Sequence, residues 1–214
     1  MNQNLTEVVI ILDRSGSMRN LAADTIGGFN SFVDVQKKEV GDARLTAVLF
    51  DDRYEVLHDG VDIQDVPILT ENEYSARGMT AMLDAIGKTI NDVGDRLSKT
   101  KEEERPGKVI FVITTDGQEN SSREFTKTQI KEMIELQQNK YNWNFLFLGA
   151  NIDSFSEADS IGISKNLTAN YKPSMSGTSD LYDSVSAAVS SVRRSEKGKV
   201  ASNWSDKLNK KNKR

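Results

Sequence analysis

The stretch EVVIILDRSGSM, residues 7–18, decides how this chain is read. Five consecutive apolar residues, Val8 to Leu12, are too uniformly apolar for a strand with one wet face; they suit a central strand covered on both sides. The run then stops at an acid and two hydroxyls, Asp13, Ser15 and Ser17, set at alternate positions around Gly16. Side chains at that spacing in a tight turn bring their oxygens toward one point. The remaining sequence must either supply further ligands or leave these three as ordinary turn residues.

Along the rest of the chain, apolar runs of strand length alternate with longer amphipathic segments. DTIGGFNSFVDVQKKE (24–39) carries Ile26, Phe29, Phe32, Val33 and, less regularly, Val35 at helical spacing. RLTAVLFDD (44–52) reads as a strand. RYEVLHDGVDI (53–63) reads as its antiparallel hairpin partner across an Asp51-Asp52 turn. AMLDAIGKTINDVGDRLSK (81–99) places Met82, Leu83, Ile86, Ile90, Val93 and Leu97 on one helical face. KVIFVITTDG (108–117) is a second very apolar strand with a polar end, and TKTQIKEMIELQQNK (126–140) a helix facing inward through Ile130, Met133, Ile134 and Leu136 or Gln137. NWNFLFLGAN (142–151) is a third apolar strand. A short helix in SFSEADSIGI (154–163) and a weak strand near NLTANY (166–171) follow. The last helix has Leu181, Val185, Ala188, Val189 and Val192 on one face. Strands alternating with helices give a parallel sheet covered on both faces, the doubly wound α/β arrangement. Its ligand crevice lies at the carboxyl ends of the central strands, here DRSGS and TTDG.

The bulk numbers agree and exclude much. A chain of 214 residues with no cysteine cannot use disulfides, zinc–thiolate sites or cysteine nucleophiles. One histidine, His58, makes a Ser-His-Asp or histidine-rich site improbable and reads as a surface residue of the hairpin. There is no GxxxxGK[ST] phosphate loop and no dinucleotide fingerprint. No stretch approaches the ~20 apolar residues of a membrane span. MNQNLTEVV at the start lacks a basic region followed by a long apolar one, so a cytoplasmic location is the expectation. Residues 197–214 hold seven Lys/Arg against one Asp; of a total of −4, this leaves −10 on residues 1–196. Residues 1–196 are therefore expected to form the domain, and 197–214 a flexible basic tail.

The candidate ligands come from three segments. DRSGS supplies Asp13, Ser15 and Ser17. RGMTAML places Thr80 on a loop just before a helix. TTDG supplies Asp116, with Thr114, Thr115 and Gly117 around it. Two carboxylates and three hydroxyls, with no nitrogen or sulfur, suit a hard divalent cation, Mg²⁺ or Mn²⁺. An ion with fewer than six protein ligands leaves a position that a partner's carboxylate can fill.

DRSGS, Thr80 and the Asp116 of TTDG resemble the metal-ion-dependent adhesion site (MIDAS) of von Willebrand factor type A (VWA) domains. The resemblance runs from about residue 6 to residue 194. It implies a six-stranded, mostly parallel sheet with one antiparallel edge strand, RYEVLHDG, and helices on both faces. It implies that Asp13, Ser15, Ser17, Thr80 and Asp116 surround the metal, Asp116 often through water. It implies further that the Thr80 contact changes between affinity states and that movement of the last helix accompanies the change. The many small residues of SVSAAVSSV (184–192) suggest shallow packing for that helix. Met79 departs from the pattern, which commonly has glycine before the threonine.

The expectation is thus a non-enzymatic module that binds a Glu or Asp of a protein partner through the metal and is a monomer without it. Two other readings are weaker. The basic tail suggests contact with nucleic acid, against which the acidic body counts, as does the lack of aromatic residues interleaved with basic ones. A metal-dependent phosphoester hydrolase would need a second acid where Ser15 stands, and lacks a general acid. Glu119 is a weak candidate for a catalytic base and is expected to face solvent or flank the site. Trp143 is expected to pack at a strand start, and Trp204 to lie exposed or to anchor a partner.

Overall fold

In a computed structural model, which describes residues 1–150 and 152–208, the strands are β1 (Asn2–Asp13), β2 (Asp42–Phe50), β3 (Tyr54–Asp62), β4 (Pro106–Thr115), β5 (Asn144–Gly149) and β6 (Thr168–Asn170). The helices are α1 (Ala22–Lys37), α2 (Met82–Lys99), α3 (Lys127–Tyr141), α4 (Ser154–Ser160) and α5 (Met175–Arg194). The strands form one sheet in the order β3-β2-β1-β4-β5-β6. All neighbours are parallel except β3, which runs antiparallel to β2 at the edge. This is the mostly parallel, doubly wound sheet expected.

Alternation along each strand builds two apolar layers. Val8, Ile10 and Leu12 of β1, Ile110 and Val112 of β4 and Leu146 and Leu148 of β5 face α1 and α5. Val9 and Ile11, Phe111 and Ile113, and Phe145 and Phe147 face α2, α3 and α4. Trp143 stacks on Phe111 at the start of β5, with ring centroids 5.3 Å apart. All six residues of the α2 stripe are buried, as are all five of α5. The inner faces of α1 and α3 are narrower than their spacing predicts: Val35 and Leu136 lie on the outer side and are exposed. No helix among the described residues is long and apolar enough to cross a membrane.

Two expectations change. The last helix is not shallowly packed. The Tyr182 ring sits so close over Gly28 of α1 that an added Cβ would come within 2.0 Å of it. The buried Arg193 guanidinium donates to the carbonyls of Gln36 (2.6 Å) and Gly41 (2.7 Å), and Gln36 Nε2 reaches Ser190 Oγ at 3.2 Å. Small residues here let two helices approach closely rather than loosely. The first part of the basic tail is packed too. Trp204 and Leu208 are buried in the layer of α1 and α5, and Trp204 Nε1 donates to the Asn166 carbonyl at 2.8 Å. Burial of an indole with its N–H satisfied outweighs the charge of the surrounding sequence. The rest of the tail, residues 209–214, lies outside the described residues.

Candidate metal centre

The central strands β1 and β4 are neighbours, and the chain leaves β1 toward β2 on one side while β4 lies on the other. Their carboxyl ends are therefore the topological switch point of the sheet. Leu12 pairs with Thr114, so the next residues, Asp13 and Thr115, end their strands side by side. Thr115 Oγ1 donates to Asp13 Oδ2 at 2.6 Å, and the Ser15 amide donates to Asp13 Oδ1 at 2.7 Å. Asp13 is thus fixed and fully buried. Ser15 and Ser17 follow in a short helical turn with their hydroxyls 3.0 Å apart, and Ser17 Oγ donates to Asp116 Oδ1 at 2.5 Å.

Thr80 reaches the same place from the loop before α2. Its amide donates to Asn120 Oδ1 (2.9 Å), and its carbonyl accepts from the Asn120 amide (3.1 Å). This ties the Thr80 loop to the loop after β4. Gly117 reveals the convergence. A Cβ there would lie 3.2 Å from Thr80 Oγ1, 3.4 Å from Ser17 Oγ and 4.0 Å from Ser15 Oγ. Hydroxyls from two segments thus face one small space, flanked by two carboxylates. Ser17 is exposed, so that space opens to solvent. All five predicted residues come together.

The electrostatics point the same way. Among the described residues no lysine or arginine is paired with Asp13 or Asp116. Burial pushes the Asp13 carboxyl up to about 6, opposed by its bonds to Thr115 and Ser15 and reinforced by the nearby Asp116. Burial raises Asp116 as well, against the Ser17 hydrogen bond. Two buried carboxylates without a cationic partner are costly, and a divalent ion would balance both. Nor do the described residues gather three or more His, Cys, Asp or Glu side chains at one point. A cation here would rely on hydroxyls as well as carboxylates, which suits Mg²⁺ or Mn²⁺.

A pH dependence follows. Because the folded state holds the Asp13 proton more tightly than the unfolded chain, this group favours the metal-free fold below about pH 4. That contribution is lost as pH rises through about 6. A bound cation favours the carboxylate instead. The rise in melting temperature produced by Mg²⁺ should therefore grow between pH 5 and pH 7.5, which scanning calorimetry at the two pH values checks. Removing the Thr115 hydroxyl provides a second check. Thr115→Val takes the donor from Asp13 Oδ2 and should lower cation affinity by about 10–100-fold, measured by titration calorimetry.

Several supporting residues carry no signal in the sequence. Tyr74 donates its hydroxyl to the Asp13 carbonyl at 2.5 Å. The buried pair Asp51 and Arg14 lies next to the site and is joined by the half-exposed Arg77, with Arg14 Nε 3.1 Å and Arg77 Nε 2.8 Å from Asp51 Oδ2. Glu119 is neither a free base nor turned to solvent. Its carboxylate accepts from the amides of Leu83 (2.9 Å), Ser121 (2.9 Å) and Ser122 (2.7 Å), capping the start of α2. His58 is half-buried on β3, where burial lowers its pKa.

No family model and no curated protein matches the sequence. Solved structures do match in fold. Proximal thread matrix protein 1 from the mussel byssus, solved with a zinc-occupied MIDAS motif, superposes with a TM-score of 0.59 at 18% identity, over 86% of this chain and 45% of that one. A von Willebrand factor type A protein from Catenulispora acidiphila gives 0.55 at 16%, over 87% and 42%. The manganese-loaded TRAP protein of Plasmodium vivax gives 0.56 at 16%, over 80% and 70%. The fold is that of VWA domains, and this chain spans less than half the length of the first two proteins.

Proposed function

We propose that this chain is a non-enzymatic, metal-dependent protein-interaction module that takes a Glu or Asp of its partner at a Mg²⁺ or Mn²⁺ ion. The carrying observation is the cradle around Gly117, where the hydroxyls of Ser15, Ser17 and Thr80 meet beside Asp13 and Asp116. When bound, the ion supplies a positive centre that a partner's carboxylate can ligate. The chain's own residues hold that centre at the surface. Asp13 and Asp116 balance its charge, Ser15 and Ser17 offer oxygens from one rigid turn, and Thr80 offers another from a separate loop. Thr115, Tyr74 and Asn120 fix these groups in place. Met79, half-exposed beside Thr80, borders the approach and favours a partner whose acid stands on a protruding segment.

Zinc and manganese in related folds support a divalent ion here, while the donor set of this chain favours a harder one than zinc. Glu119 gives no support to hydrolysis, because its carboxylate is engaged by backbone amides. The test is capture of partners from lysate on wild-type and Asp116→Ala protein, each with Mg²⁺ or EDTA. A partner held only by wild type with Mg²⁺ supports the reading. Partners that ignore both the chelator and the substitution overturn it.

A further inference from the structure

A groove of about 830 Å³ opens at the opposite end of the sheet from the candidate metal centre. The ten residues of β4 separate the two by about 30 Å. Its walls are α2 and the end of α3, and its base includes the first residues of β1 and β4. Ile90, Leu97, Val109 and Trp143 make an apolar floor, with Tyr141 exposed at the edge. The rim carries Arg105, Lys140, Lys197 and Lys199 against Asp95 and Glu196, a surplus of two positive charges on an otherwise acidic body. Among the described residues Lys140, Lys197 and Lys199 make no ion pair.

Two features of the groove bear on what it could hold. The Arg105 guanidinium is held by a bond from Nη2 to the Thr100 carbonyl (2.9 Å), while its Nε is buried without a hydrogen-bond partner. Arg105 lines the groove with its guanidinium held in place by that bond, so a carboxylate arriving in the groove meets a positioned positive charge. The second feature is Gly94, in the middle of α2. Glycine weakens a helix interior relative to alanine. Yet a Cβ at Gly94 would meet nothing within 4 Å, so the chain's own packing does not require glycine there. The missing methyl leaves room in the groove wall.

We propose that this groove docks an acidic segment of a partner protein bearing an aromatic or aliphatic anchor. The anchor lies on the Trp143 floor, one carboxylate engages Arg105, and further acids meet the lysine rim. The site does not depend on the metal centre. The chain's own last residues, NKKNKR (209–214), have the wrong charge to fill it. A long nucleic acid would meet the −10 of residues 1–196, whereas a short acidic segment meets a rim with a surplus of two positive charges.

The test is selection of short random displayed peptides on the full chain in EDTA, which silences the metal centre. Enriched peptides should combine several Asp or Glu with a Phe, Trp or Leu. A labelled copy of the most enriched one should lose affinity about tenfold or more in Arg105→Gln and in the double reversal Lys197→Glu/Lys199→Glu. The double reversal changes exposed positions only, so the test survives if Arg105→Gln folds poorly. A Gly94→Ala protein that melts higher yet binds the peptide more weakly would support the same site. No enrichment, a consensus without acids, or binding indifferent to both variants overturns the proposal. So does tighter binding of a single-stranded RNA oligonucleotide with the same variant dependence, or self-association abolished by Arg105→Gln.

Discussion

Asp13→Asn protein is expected to show no rise in melting temperature when Mg²⁺ or Mn²⁺ is added, while the wild-type protein rises. Asp13 is fully buried and held by Thr115 and Ser15, so it cannot be replaced by a neighbouring acid. A ligand that binds only the folded state stabilises it by about 2.7 kcal/mol at a hundred times its Kd. For a domain of this size that is roughly 5–10 °C. The metal-free variant should be no less stable than metal-free wild type at neutral pH, because the substitution removes a buried charge that burial already disfavours. Loss of the cation effect with the fold intact is the signature, read by calorimetry with and without EDTA. A variant that still gains the full shift would place the ion elsewhere.

The second large effect lies next to the site. Asp51→Asn is expected to cost about 3–5 kcal/mol of stability in urea denaturation, the usual result of removing one partner from a buried ion pair, here that of Asp51 with Arg14. Asp51 is fully buried and accepts from Arg14 Nε, Arg77 Nε and the Arg53 amide. Without it, the buried Arg14 keeps only the half-exposed Glu55, at 2.8 Å. Arg14 lies between Asp13 and Ser15. Its amide donates to the Phe50 carbonyl, and its carbonyl accepts from the Arg77 amide. Cation affinity should therefore fall with stability. A loss below about 1 kcal/mol would mean that solvent already screens the cluster, as it does for surface pairs.

The parts of this molecule legible in the sequence are those with a local code. β1 and β4 announce themselves by unbroken apolar runs, and α2 by a six-residue stripe that is buried in full. The convergence of Asp13, Ser15, Ser17 and Asp116 is legible because strand ends fix where such residues go, whereas Thr80 joins them from a loop. Long-range partnerships have no such code. Arg14, Asp51 and Arg77 come from three separate loops, and nothing in the sequence around any of them names the other two. Glu119 reads as a possible base because its acid is visible and the three amides that consume it are not. Trp204 reads as exposed or as an anchor for a partner because it stands in a basic tail, yet it is buried in the layer of α1 and α5. The packing of α5 misleads for a related reason. Small residues signal close approach as readily as looseness, and only the position of Tyr182 over Gly28 decides between them.

The most direct measurement is a crystal grown with Mn²⁺, with data collected for the anomalous signal of manganese. One strong peak is expected in the space between Gly117, Ser15 and Ser17, at bonding distance from both serine hydroxyls and near the Asp13 and Asp116 carboxylates. That peak should be absent from crystals of Asp13→Asn protein. A peak at any other position, or none at Mn²⁺ concentrations that raise the melting temperature, would contradict the proposed metal centre.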